Sequence, residues 1–291
     1  MKSIKVWFTS FWGRFDIYDN LFTYALSHRY NVEVTPDNPD IVVSNHFIER
    51  YQDAKMVYFS GEPFYELGVN DYAFTSFYID DPKFFRVPLY LLYAYDYYKM
   101  GFTNSYDVIL NKSNLLESLF NKSEFCNYIA RGPGGTPRRT EFFQKLSDYK
   151  RVDALGLHFN NGPFVPGESG SIEGSIEKCK VQRKYKFSIA FENSSEYKGK
   201  IGYTTEKIFE PMIAMSIPIY WGNPLIDCDF NSNSFINWND YGSDEKVIER
   251  IIEIDNDKDL YADYITANYV NNTRLFQIEY IVDIFDKIIG D

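Results

Sequence analysis

The sequence predicts an α/β protein made of two Rossmann-like domains facing each other across a cleft. Three observations point there. Short apolar runs alternate with segments of helical period over the first sixty residues. The same alternation restarts near residue 125, and a tyrosine-rich, less regular stretch separates the two series. With 291 residues, 45% of them hydrophobic and 24% charged, the chain can bury two sizeable cores.

Taken in order, Lys5–Thr9 reads as a strand. Asp19–Tyr30 reads as a helix, because Leu21, Phe22, Tyr24, Ala25 and Leu26 fall on one helical face. Val32–Thr35, Ile41–Ser44 and Met56–Ser60 follow as strands. The middle, Asp80–Lys122, is punctuated by polar residues and carries little regular pattern. In the second series Phe125–Ala130 is a strand, Thr136–Tyr149 a helix and Val152–Leu155 a strand. A loose Gly/Ser/Pro segment, Asn160–Ser175, precedes the strand Tyr185–Glu192. Thr205–Met215 is a helix and Ile217–Trp221 a short strand. Asp244–Ile254, Asp259–Tyr269 and Thr273–Ile289 complete the chain as helices. The expected domains are residues 1–118 and 119–291, with the last helix packing back on the first domain.

Charge and cysteine usage remove several function classes. A net charge of −11 argues against a broadly basic nucleic-acid surface, so an anionic ligand would need a local positive island. Cys126, Cys179 and Cys228 are odd in number and widely spaced, which supports neither a disulfide framework nor a zinc site. No run approaches 18 apolar residues, and charge interrupts the N-terminal stretch before a signal-peptide core could form. A cytoplasmic protein without a transmembrane segment is expected. The 19% aromatic share suits a sugar ligand as well as an ordinary core.

Three segments could carry chemistry. In 131-RGPGGTPRRTEFF-143 a strand runs into a glycine-rich loop and then a helix, with Thr136 at the cap and Pro137 at the first position. Arg138 and Arg139 fall in the first turn, where the helix dipole disfavours cations by about 0.3–1 kcal/mol each. Either they form a solvated pair or an anion lies between them and the helix end. Adjacent helical residues diverge by about 100°, so one of the two faces the ligand.

In 203-YTTEKIFE-210, Thr204 or Thr205 caps a helix and sets Lys207 in its first turn, again against the dipole; a phosphate there would gain charge-assisted hydrogen bonds. Glu206 suits the dipole unaided, or accepts from sugar hydroxyls. Pro211 predicts a kink or a shifted start. In 57-VYFSGEPF-64, Glu62 follows a strand at the carboxyl edge of a parallel sheet, either as an exposed turn residue or as a base for an incoming hydroxyl. Asp227-Cys228-Asp229 fits an Asp-x-Asp metal pattern, but two acids in three residues arise readily by chance. His28, His46 and His158 form no catalytic grouping.

FEN at 191–193, YTTEKIFE at 203–210 and IPIYWGNP at 217–224 together resemble the α1,3-fucosyltransferases of glycosyltransferase family 10. FWG at 11–13, YFSGEP at 58–63, DYAFTSFYIDDPKFFRVPLY at 71–90 and PRRTEFFQKL at 137–146 extend the likeness over most of the chain. The resemblance implies a GT-B fold, with an N-terminal acceptor domain and a C-terminal domain binding GDP-fucose. It implies inverting transfer of fucose in a single displacement to a GlcNAc or Glc hydroxyl of a β-galactoside-containing glycan. Glu62 then corresponds to the general base, Arg139 to a donor-phosphate arginine, and Lys207 to the lysine of the Thr-Glu-Lys motif. Tyr203, Glu206 and Asn193 match neighbouring donor positions, and Trp12, His46 and Phe64 fall where the acceptor would bind. No metal is implied, a divalent cation being at most stimulatory. Departures are Thr-Thr-Glu-Lys in place of Val-Thr-Glu-Lys, Pro211, a longer segment after FEN, and no basic heptad-repeat tail of the kind some bacterial members carry. A transferase for another nucleotide sugar, or a non-catalytic carbohydrate- or nucleotide-binding module, stands as the alternative.

Overall fold

The structure, a computed structural model, describes residues 1–46, 48–64, 66–110, 122–132, 137–165 and 172–290. The chain divides into two compact units. One comprises Met1–Tyr106, Glu196–Tyr203 and Arg274–Asp291; the other comprises Asp107–Ser195 and Thr204–Thr273.

In the first unit, β1 (Lys2–Thr9) buries alternate residues Ile4, Val6 and Phe8, the period-2 signature of a strand with one covered face. Helix α1 (Leu21–Ser27) begins at a capping box: the Asn20 side chain accepts from the Phe22 and Thr23 amides, and Thr23 Oγ1 accepts from the Asn20 amide. Strands β2 (Tyr30–Val34), β3 (Ile41–Ser44), β4 (Lys55–Phe59), β5 (Tyr72–Thr75) and β6 (Phe84–Arg86) follow, then helix α2 (Leu89–Lys99). All pairings are parallel, in the order β2-β1-β3-β4-β5-β6. Every residue of β3 and β5 is buried, as expected of parallel strands covered on both faces.

The expectation of an irregular middle is corrected here, since β6 and α2 lie inside Asp80–Lys122. Helix α2 buries Tyr90, Leu91, Leu92, Tyr93, Ala94, Tyr95 and Tyr97, so it has no single apolar stripe for periodicity to detect.

The second unit runs β7 (Glu124–Tyr128), α3 (Arg138–Tyr149), β8 (Val152–Ala154), α4 (Ile172–Gln182) and β9 (Tyr185–Phe191). The chain then forms a two-stranded hairpin, β10 (Glu196–Tyr197) and β11 (Lys200–Ile201), which belongs to the first unit. Lys198 and Gly199 both take positive φ, 49° and 72°, as a two-residue hairpin turn requires. Gly202 has φ 127°, and a Cβ on it would lie 2.7 Å from the Ser76 carbonyl oxygen, so only glycine fits there.

Back in the second unit come α5 (Glu206–Ile213), β12 (Ile217–Trp221), β13 (Ile236–Asn237), α6 (Trp238–Tyr241), α7 (Asp244–Asn256) and α8 (Lys258–Thr266). Its sheet is parallel throughout, in the order β13-β12-β9-β7-β8. The last helix, α9 (Ile278–Gly290), returns to the first unit, where Phe285 meets the rings of Phe22 and Phe74 and Asp286 accepts from the Tyr30 hydroxyl.

Two smaller expectations also change. Helix α4 occupies ground next to the segment read as loose, and α5 begins at its Thr205 cap without the shift expected from Pro211. In a helix of only eight residues the proline removes a single internal hydrogen bond, to the Lys207 carbonyl. Among the described residues no helix is long and apolar enough to cross a membrane.

Both sheets place their first strand between the second and the third. The strand order therefore reverses between β1 and β3 in one unit and between β7 and β9 in the other. The carboxyl ends of such strand pairs are where ligands of open α/β sheets bind.

Candidate active site

At the reversal in the second unit, β9 ends in Phe191, Glu192 and Asn193. Arg139, in the first turn of α3, reaches this end: Nε and Nη2 donate to the Phe191 carbonyl at 3.0 and 2.7 Å, and Nη2 donates to Asn193 Oδ1 at 2.7 Å. Arg138 points elsewhere. Its guanidinium lies 4.1 Å from the Trp238 ring centroid and 5.2 Å from that of Trp221. The expected divergence of the two arginines is thus observed, with Arg139 the buried one. Thr136, expected as the cap, lies outside the described residues; Pro137 holds the cap position and Arg138 starts the helix.

Glu192 is the hub. Its Oε1 accepts from the Thr205 amide and its Oε2 from the Thr205 hydroxyl, both at 2.7 Å. Thr205 Oγ1 in turn caps α5 by accepting from the Lys207 amide, and also accepts from Lys207 Nζ at 3.1 Å. The ammonium lies 3.5 Å from Glu192 and 3.3 Å from Glu206. One turn further on, Glu210 pairs with Lys178 at 2.6 Å. Gly222, just past β12, presses against this hub: a Cβ there would sit 2.6 Å from Glu192 Cγ. Asn223 closes the other side, donating from Nδ2 to Thr204 Oγ1 and from its amide to the Tyr220 hydroxyl.

Burial pushes the Glu192 carboxyl up, and the Lys207 charge and the Thr205 donors only partly oppose it. For Glu206 burial also acts upward, but the Lys207 and Lys178 ammonium groups outweigh it and hold the carboxyl at about 2. Lys207 is raised despite burial, by Glu206 and Glu192. An open cationic niche was expected; the structure instead holds Lys207 between two carboxylates. With Glu192, Glu206 and Glu210 against Arg139, Lys178 and Lys207, the cluster is formally neutral and its charges alternate. The two donors nearest the strand end are Arg139, held by the Phe191 carbonyl and Asn193, and Lys207, held by the carboxylates.

The first unit's reversal is furnished differently. Strand β1 runs into Phe11, Trp12 and Phe15, whose rings pack on one another and, through Phe11 and Trp12, on Phe59. Asn45, after β3, ties the strand ends together: its amide donates to the Thr9 carbonyl and its Nδ2 to the Phe59 carbonyl. His46 follows and is exposed. Past β4, Ser60 Oγ donates to the Glu62 carbonyl, the Phe64 amide donates to the same oxygen, and Phe64 stacks over Tyr58 with centroids 6.1 Å apart. Glu62 itself is exposed on this turn. Trp12, His46, Glu62 and Phe64 therefore share the carboxyl edge of one sheet.

Tyr203 also belongs to the first unit, buried with its ring 6.5 Å from that of Phe77. Arg139, Asn193, Glu206 and Lys207 gather at the second unit's edge. Asp227 is exposed and Asp229 buried, so the Asp-x-Asp acids do not converge, and the described residues contain no metal-holding group of three or more His, Cys, Asp or Glu side chains. Sequence reasoning set the FEN strand end in a pocket wall but gave Glu192 no role of its own. Its signal was an acid closing an apolar run, YKFSIAF, where a buried strand end demands a partner.

Solved structures share this fold. A crystal structure of an α1,3-fucosyltransferase superposes with a TM-score of 0.79 at 23% identity, covering all of this chain and 91% of that one. Its complex with GDP-fucose gives 0.75 at 22% identity, with the same coverage. The fold is GT-B. The alpha-(1,3)-fucosyltransferase FucT of Helicobacter pylori is 27% identical over 316 residues, which cover 92% of this chain and 60% of that protein. The alpha-(1,3)-fucosyltransferase B of Drosophila melanogaster is 36% identical over 130 residues, 43% of this chain and 28% of that protein. The chain thus spans less than two thirds of the length of these relatives. The family model for the C-terminal part of glycosyltransferase family 10 (fucosyltransferase) matches residues 120–279, and that for the alpha-(1,3)-fucosyltransferase FucT N-terminal domain matches residues 6–93. The chain belongs to glycosyltransferase family 10.

Proposed function

We propose that the protein transfers L-fucose from GDP-fucose to the 3-hydroxyl of a GlcNAc or Glc residue in a β-galactoside-containing glycan, with inversion at the anomeric carbon. The observation that carries this is the convergence of Arg139, Asn193 and Lys207 on the strand-order reversal of the second sheet, within segments shared with α1,3-fucosyltransferases. In this scheme the second unit binds the donor. Arg139 and Lys207 stabilise the charge that develops on the departing diphosphate, a gain realised in the transition state. Glu206 accepts from a fucose hydroxyl, and Tyr203 is assigned to donor binding by its place in the YTTEK motif. The first unit binds the acceptor along Trp12, His46 and Phe64, and Glu62 takes the proton from the attacking hydroxyl. The oxocarbenium-like centre is met from the side opposite the leaving group, as in other single displacements at sugars. The reaction needs no divalent cation.

The test is a mass-spectrometric assay with lactose and N-acetyllactosamine as acceptors, and with the β1,3-linked isomer, whose GlcNAc 3-hydroxyl is already glycosylated, as the control. GDP-fucose, GDP-mannose and UDP-sugars serve as donors, with and without chelator. A deoxyhexose added from GDP-fucose alone, in chelator, is the expected result. Transfer from a different nucleotide sugar, or none with any pair, would overturn the assignment.

A further inference from the structure

Lys178 on α4 lies outside every motif of the sequence, yet it takes part in the charge cluster around Lys207. Its side chain is 14% exposed and pairs at 2.6 Å with Glu210, which is 1% exposed. Lysines on helices ordinarily carry the ammonium out to water. Glu177 and Lys180 beside it do so, pairing with each other while about half exposed. Taking an ammonium and a carboxylate out of water carries a desolvation cost that their attraction offsets only in part. A brace between α4 and α5 needs only the pair with Glu210. Lys178 does more. Burial pushes its ammonium down, but Glu210 and then Glu206 raise it, so the first-turn carboxylate of α5 is a partner as well.

Glu206 and Glu210 are four residues apart on α5, hence neighbours on one helical face. Glu206 has two counter-charges, Lys207 and Lys178, which together hold its carboxyl at about 2 against burial. The remaining charges at the site are Glu192 at the end of β9, which competes for Lys207, and Arg139 from α3, which opposes the Lys207 charge. In the donor reading Lys207 turns to the diphosphate, and Glu206 loses part of that partner. The ligand also brings negative charge of its own. A buried carboxylate left without a cation takes up a proton. Protonated, Glu206 turns one of its acceptor oxygens into a donor and no longer presents the carboxylate that receives a fucose hydroxyl.

We infer that Lys178 is a positioning residue for donor binding: it is the counter-charge that stays with Glu206 while Lys207 serves the diphosphate. The inference rests on the GDP-fucose reading of the same unit and adds to it a residue that acts through Glu206. Glu210 holds Lys178 from the next turn of α5, so the reserve charge is tied to the helix that carries Glu206 and Lys207.

The experiment is calorimetric titration of the full chain with GDP-fucose at pH 5 and pH 7.5, with circular dichroism to confirm folding. Removing one partner of a buried pair is strongly destabilising, whereas replacing both by apolar residues of similar volume is often neutral. The main variant is therefore Lys178→Met/Glu210→Met, run beside Lys178→Arg and the wild type. Lys178→Gln carries the same comparison if the double variant does not fold. Without Lys178, donor binding raises the Glu206 carboxyl and draws in a proton, so binding tightens as pH falls. GDP-fucose should bind the double variant more tightly at pH 5 than at pH 7.5, by at least about fivefold beyond any pH effect in the wild type. Adding Glu206→Gln should abolish that extra dependence, and Lys178→Arg, which keeps the charge, should follow the wild type. Should the double variant keep the wild-type pH dependence, or its extra dependence survive Glu206→Gln, Lys178 only braces the helices; the inference is overturned and the donor reading stands. A wild-type chain that binds no GDP-fucose would overturn both.

Discussion

The two units share a strand order and differ in what they place at its reversal. The first unit lines that edge with Phe11, Trp12, Phe15 and Phe59 and leaves one carboxylate, Glu62, exposed. The second lines it with Glu192, Glu206 and Lys207, mutually paired, and with Arg139 bound to the Phe191 carbonyl, all buried or half-buried. Topology fixes where a ligand can sit in both; the side chains decide which ligand. An aromatic edge with one exposed carboxylic residue on a turn suits a neutral sugar and a proton acceptor. An edge of compensated charges suits a ligand that brings its own charge and exchanges partners with the protein.

The contrast is broken most directly by removing one carboxylate from each edge. Glu62→Ala should lower transfer by about 10²-fold or more, the usual range for a general base, with GDP-fucose affinity and melting temperature nearly unchanged. Glu192→Ala should instead unfold the second unit's edge, costing about 3–5 kcal/mol, because it leaves the buried Thr205 donors without their acceptor and half-buried Lys207 with Glu206 alone. Denaturant melts beside initial rates separate the two; matching profiles would show that the edges do not differ as described.

Acid sharpens the comparison, because Glu206 in the second unit and Asp96 in the first are carboxyls shifted in opposite directions. Glu206, held at about 2 against an ordinary 4.5, contributes stability that is present above pH 4.5 and lost as pH falls toward 2. Glu206→Gln should therefore cost on the order of 3 kcal/mol at pH 7, with the difference shrinking below pH 4.5. Asp96 on α2 is pushed up to about 6 by burial, against the opposing charges of Lys99 and Arg14. Its contribution is present below about pH 4 and lost as pH rises through 6, so Asp96→Asn should stabilise the first unit at pH 7 by up to about 3 kcal/mol. Melts of each variant between pH 3 and 8 test both signs.

Smaller effects probe the packing behind each edge. Gly222→Ala forces a methyl to within 2.6 Å of Glu192 Cγ and should cost about 1–3 kcal/mol, read as a lower denaturation midpoint. Lys198→Ala, which removes an exposed ion pair with Glu66 on the hairpin, should leave that midpoint unchanged.

Much of this was legible beforehand, for identifiable reasons. Ile217–Trp221 and Ile41–Ser44 were read at their observed bounds, since β-branched and aromatic residues dominate both short runs. Arg139 and Lys207 stood out because a cation in the first turn of a helix opposes the dipole. Helix α2 was hidden by being buried on almost every side, and β6 by spanning only three residues. Glu192 was visible as a residue but not as a hub, because its partners Thr205 and Lys207 lie 13 and 15 positions along the chain.

The sequence by itself determined the local elements, the parallel α/β class and which residue types stood at strand ends and helix starts, because these depend on periodicity, caps and neighbours within a turn or two. Only the tertiary structure decided that Lys207 is held between two carboxylates, that Arg139 rather than Arg138 turns inward, and that Lys178 pairs with Glu210. Those outcomes depend on which strand ends the sheet order brings side by side, and Coulomb and packing energies act on distance in space and not on separation in sequence.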